Sequence, residues 1–73
     1  MKLYTLPSCG PCRQVKRVIE AEGMAELVEV VDDTTRFPPE VRSVPTLEKD
    51  NGGLLVHAES IIHYLREHKE NQN

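Results

Sequence analysis

Cys9 and Cys12 stand in the run Cys9-Gly10-Pro11-Cys12, just after a short apolar stretch, Lys2-Leu3-Tyr4-Thr5-Leu6, and at the opening of a helical pattern. Paired thiols at a helix start suit disulfide exchange. The nucleophile of that chemistry is the thiolate. The unpaired N–H groups and dipole of a first helical turn stabilise it, lowering the pKa of Cys9 below that of a free thiol. Cys12, one turn inside, is placed to resolve a mixed disulfide formed on Cys9. Pro11 fits because first-turn N–H groups have no intrahelical acceptor and its fixed φ pre-organises the turn. Gly10 leaves the sulfurs open to a partner.

Two other chemistries use the same spacing. C-x-x-C is half of a zinc site, but a four-ligand centre needs two further N or S donors, and the only candidates are His57, His63 and His68. His63 and His68 lie five apart on a helical pattern and do not face one another well, so no metal site is expected. A purely structural disulfide over so short a loop removes little entropy from the unfolded chain. In a reducing compartment, two cysteines at this spacing point instead to catalysis.

The elements that must position the pair fit into one small domain. The 73 residues carry a net charge of −3 and leave room for a single modest core, so residues 1–73 read as one unit. The nine Lys and Arg are scattered, which argues against nucleic acid as a partner. No stretch has the length of a membrane-spanning helix and the N-terminus lacks a signal-like apolar run. The expected location is the cytoplasm, without membrane contact.

Residues 2–6 predict a buried strand. From Gly10 to Glu22, Val15, Val18 and Ile19 recur at helical spacing, and Gly23 is the stop signal. Leu27-Val28-Glu29-Val30-Val31 is rich in β-branched residues and predicts a second strand, parallel to the first because a helix joins them. Residues 32–39 read as loop, and Pro38-Pro39-Glu40-Val41-Arg42 as a short helix. Residues 45–48 predict a third strand, and Asp50-Asn51-Gly52-Gly53 a hairpin turn into a fourth at 54–56. Glu59 to Lys69 is the last helix, with Ile61, Ile62 and Leu65 as its apolar stripe and residues 71–73 frayed beyond it.

The order β-α-β-α-β-β-α, with C-x-x-C at the first strand-to-helix junction, resembles the thioredoxin fold: an α/β protein with a four-stranded mixed sheet flanked by three helices. The chain is similar to small glutaredoxin-like redoxins. In that superfamily a cis-proline faces the active cysteines, and Ser43-Val44-Pro45-Thr46 looks like that segment. The resemblance implies that Val44 offers its backbone N–H and C=O to an extended peptide or to glutathione, as an added strand. Pro45 read by itself is also an ordinary strand-opening proline.

Val44-Pro45-Thr46-Leu47, the Asp50–Gly53 turn and Ala58-Glu59-Ser60-Ile61-Ile62 are together similar to the N-terminal domain of glutathione S-transferases and their related glutaredoxins. That similarity implies that Glu59 and Ser60 hold the γ-glutamyl end of glutathione, whose amine needs an acceptor and whose carboxylate suits helix N-terminal amides. A plain helix cap is the other reading of the same two residues. The second, helical domain of the transferases is absent from the 73 residues, so transfer to electrophiles is not expected.

Under this resemblance the chain is a monomeric disulfide oxidoreductase, with Cys9 and Cys12 catalytic and Gly10-Pro11 the active-site loop. The resemblance implies no tightly bound cofactor, glutathione as the co-substrate, and disulfide-containing proteins and glutathione reductase as partners. Gly10-Pro11 is, however, the thioredoxin dipeptide, and a small redoxin reduced by thioredoxin reductase, such as a donor to ribonucleotide reductase, is the alternative. A module that binds glutathione or a protein without turnover is a third. Arg13, Lys16 and Arg42 are candidates to attract glutathione carboxylates, against the ordinary reading of solvated surface charges. Tyr4 is assigned to the core, and the three histidines to the surface.

Overall fold

A computed structural model describes residues 1–71. Strand β1 (Lys2–Tyr4) leads into helix α1 (Gly10–Ala21) and returns as β2 (Glu29–Val31). Strands β3 (Thr46–Glu48) and β4 (Leu54–Leu55) then form a hairpin, and helix α2 (Ala58–Asn71) closes the chain. The sheet runs β2-β1-β3-β4, with β2 parallel to β1 and the other two pairings antiparallel. It is the four-stranded mixed sheet of the thioredoxin-like order. Among the described residues no helix is long and apolar enough to cross a membrane.

Strand alternation divides the sheet into two faces. Leu3 and its cross-strand partner Leu47 are fully buried on one face, within a cluster with Val15, Ile19, Ile61 and Leu65 of the two helices. Each helix contributes an apolar stripe with charged residues outside it, so burying those stripes drives the packing. The neighbouring residues Tyr4 and Thr46, paired across the strands, and Val31 are buried outside that cluster. Phe37 meets Tyr4 edge-to-face, with ring centroids 5.3 Å apart. A loop, not a helix, therefore supplies cover on this second face.

That loop is where the structure departs from expectation. No helix forms over 38–42; a turn does, held by the Val41 amide donating to the Pro38 carbonyl at 3.0 Å. Pro39 has no N–H to give and biases Pro38 away from helical angles, and Pro45 restrains Val44 in the same way, so no second turn can propagate. A short 3₁₀ turn occurs earlier, over Thr34–Arg36, where loop was expected. Asp33 caps it by accepting from the Thr35 amide at 3.0 Å and hydroxyl at 2.7 Å. The described chain thus has two α-helices, not three.

The remaining boundaries shift by a residue or two. Leu27 belongs to a turn, its amide bonded to the Met24 carbonyl at 3.0 Å, and β2 starts at Glu29. Gly23 ends α1 as expected, with φ +69°. Its amide returns to Glu20 O and that of Met24 to Ile19 O, and this pair of bonds also plants Met24 in the core. Gly52, at φ +89°, makes the left-handed turn of the β3–β4 hairpin. Residues 72 and 73 of the expected frayed end lie outside the described residues.

A candidate thiol-disulfide site

Cys9 is the N-cap of α1, in extended conformation at φ −87° and ψ 115°. Its Sγ accepts a hydrogen bond from the Cys12 amide at 3.2 Å, the place a cap oxygen of Ser or Asp would take. Two further bonds fix the cap residue: its own amide donates to Leu6 O at 3.1 Å, and the Arg13 amide donates to Cys9 O at 3.2 Å. Cys9 and Cys12 are joined as a disulfide, with Cα atoms 5.2 Å apart. Cys12 is fully buried and Cys9 half-buried, so Cys9 is the member of the pair that reaches the surface.

Gly10 and Pro11 form the exposed shoulder of this loop. A Cβ built on Gly10 would meet nothing within 4 Å, so no internal packing requires glycine there. What the missing side chain keeps clear is the outer surface beside the sulfurs.

The Val44-Pro45 bond is cis, Pro45 is buried, and the Thr46 hydroxyl braces the bend by donating to Ser43 O at 2.7 Å. No hydrogen bond among the described residues uses the backbone N–H or C=O of Val44. A groove of about 610 Å³ runs beside it, formed by Pro11 and Gln14 of α1, Val44 and Pro45, and residues 56–60 at the β4–α2 junction. Pro11, Val44, Pro45, Glu59 and Ser60, singled out separately in the sequence, line this one groove.

Glu59 and Ser60 are not the cap of α2. The helix begins at Ala58, and the His57 carbonyl accepts from the Ile61 amide at 2.9 Å, which puts His57 at the cap. Glu59 and Ser60 are exposed in the first turn, where a carboxylate complements the dipole. The amides of Ala58, Glu59 and Ser60 make no hydrogen bond among the described residues, so three donors stand at the groove wall.

The groove also contains residues the sequence reading did not assign to it. Gln14 lies one helical turn after Pro11, a spacing that places both on one face of α1 and was a readable signal. His57 joins only because the β3–β4 hairpin carries it there. His63 lies 3.1 Å from Glu67, and His68, half-buried, stacks on Tyr64. Among the described residues, no three of His, Cys, Asp and Glu gather as a metal set.

The other candidates separate. Arg13 and Arg42 are exposed and form no salt bridge among the described residues, whereas Lys16 lines a different hollow with Ile19 and Val28. Tyr4 is turned away from the groove: its hydroxyl donates to Glu48 Oε1 at 2.9 Å on the loop-covered face. Burial, and then the hydrogen bond to Glu48 and its charge, holds that hydroxyl above its ordinary pKa of 10.

No curated protein matches this sequence. The family model for the glutathione S-transferase N-terminal domain matches residues 3–73, from β1 through the C-x-x-C loop, the cis-proline bend and α2, and the chain belongs to that family.

Proposed function

We propose that the protein is a glutaredoxin-like thiol-disulfide oxidoreductase that reduces protein disulfides or glutathione mixed disulfides through Cys9 and Cys12, with glutathione as reductant. The observation that carries this reading is the cap geometry: the Cys12 amide donates to the Cys9 sulfur at the dipole end of α1, a position that favours the thiolate. In the dithiol form, the Cys9 thiolate attacks one sulfur of a substrate disulfide. A bond forms between Cys9 and that sulfur, and the other leaves as a thiol after taking a proton. Cys12, deprotonated, attacks Cys9, forming the Cys9–Cys12 disulfide and freeing the second substrate thiol. Two electrons pass from protein to substrate. Two glutathione thiols return the pair to the dithiol through a Cys9–glutathione intermediate, and the product is glutathione disulfide.

Glutathione is an extended peptide with carboxylates at its ends and one free amine. In the groove, Val44 offers its unpaired N–H and C=O to the peptide backbone, the first-turn amides of α2 face a carboxylate, and Glu59 accepts from the amine. Arg13 adds positive charge beside Cys12.

The test is NADPH-coupled reduction of a small glutathione mixed disulfide, with glutathione and glutathione reductase supplied and thioredoxin reductase withheld. Turnover that disappears in Cys9→Ser is the expected result. A folded protein with reactive thiols and no turnover sinks the glutathione reading. It favours reduction by thioredoxin reductase instead, the reading to which the Gly10-Pro11 dipeptide leans. Glutathione affinity retained in Cys9→Ser, with no turnover in the native chain, identifies a binding module.

A further inference from the structure

A second cavity meets the groove at Val44. It holds about 220 Å³ and is lined by Leu6, Phe37, Val41, Arg42, Ser43 and Val44. Four of the six are apolar. Sites for whole small molecules span roughly 300–1,000 Å³, so this hollow takes one side chain and not a free ligand. Its position relates it to the sulfurs, because Leu6 accepts the Cys9 amide and Pro11, two residues beyond Cys9, lines the larger groove. The smaller cavity therefore adjoins the C-x-x-C loop through the Leu6–Cys9 bond and the larger through Pro11, and both are lined by Val44, whose backbone is unbonded among the described residues.

We infer that the Leu6–Phe37–Val41 hollow is a subsite for protein substrates: it receives an apolar side chain next to the target cysteine of an extended segment, with an acidic residue beyond it facing Arg42. The inference rests on the redox reading above and adds a substrate preference to it. Val44 pairs with the segment as an edge strand would, which sends neighbouring substrate side chains to alternate sides. The charge on the rim is positive and without a salt-bridge partner among the described residues, and the chain's acidic groups do not line this cavity. Arg42 thus selects an acidic over a basic neighbour. Glutathione has no side chain to place there, so the hollow distinguishes a protein disulfide from the small tripeptide.

The experiment uses the full chain, reduced beforehand, in single turnover against disulfide-linked peptides that differ only beside the cysteine. The electrons come from the Cys9/Cys12 dithiol, and released peptide thiol is counted by mass spectrometry. A Leu-Cys peptide bearing a nearby Glu is expected to react about tenfold faster than its Ser-Cys counterpart, the low end for adding an apolar group to a pocket. Val41→Ser should bring that ratio close to one. Arg42→Glu, an exposed change that keeps the core intact, should reverse the preference between Glu- and Lys-bearing peptides. Equal native rates for the Leu and Ser peptides overturn the subsite alone, as does a ratio that survives Val41→Ser in a folded variant. An unchanged charge preference in Arg42→Glu overturns the assignment of Arg42. Failure to reduce any peptide, with no turnover of the small glutathione disulfide, overturns the redox reading and this inference with it.

Discussion

The two faces of the sheet are covered by different means. On one, Leu3 and Leu47 lie beneath two amphipathic helices and are wholly buried. On the other, Tyr4, Val31 and Thr46 are covered with the help of a loop whose inward ring is Phe37, itself half-buried. The first face is built by repeated helical spacing and carries most of the apolar burial. The second is built by one aromatic contact, a turn and a cis bend, and it carries Val44 to the groove that Pro11 of the C-x-x-C loop also lines. Under the proposed function the difference separates stability from function in space: the helical face holds the domain together, and the loop face shapes what approaches the cysteines.

Substitutions on each face test that division. Leu47→Ala leaves a cavity under both helices, and fully buried Leu→Ala changes cost roughly 2–5 kcal/mol. A domain of this size holds roughly 4–11 kcal/mol in all. Urea titration followed by circular dichroism should therefore show a large fall in midpoint, with much of the variant unfolded without denaturant. Phe37→Ala should cost less, about 1–2 kcal/mol, because the ring is half-buried and meets one aromatic partner edge-on. Its larger effect should appear in disulfide reduction, where releasing the 32–45 loop moves Val44; a loss of activity no greater than the loss of folded protein would erase the distinction between the faces.

Tyr4→Phe has the smallest effect and the most specific signature. The folded-state pKa of Tyr4 is raised, so its contribution to stability is fully present below pH 10 and is lost as the pH climbs above that value toward the folded pKa. Unfolding free energies taken from pH 9 to 11 should fall more steeply in the native chain than in Tyr4→Phe. Parallel curves would mean that the hydroxyl's bond to Glu48 does not matter to the loop face.

Local signals in the sequence placed most of the helical face. The 3.6-residue stripes of Val15, Ile19, Ile61 and Leu65, the stop at Gly23 and the Asn51-Gly52 turn each act through neighbouring residues, and each stands where the pattern put it. The loop face was less legible. Residues 38–42 read as a short helix, but prolines within and after the segment leave it too few donors to continue one. The cysteine pair and its helix start were plain from spacing. Gln14 was legible from its spacing to Pro11, whereas His57 reaches the groove only through the hairpin, and the cap at His57 moved Glu59 and Ser60 into the first turn, where their amides make no hydrogen bond among the described residues.

Cys12 sits wholly beneath the surface while its own amide reaches the sulfur of Cys9. For the proposed chemistry this makes the escape of a captured partner a first-order event. The thiol that breaks the link is already in place, so the internal route runs at a rate independent of how much thiol surrounds the molecule. Along that route, how long a partner stays attached is a property of one helical turn and does not change between dilute and crowded surroundings.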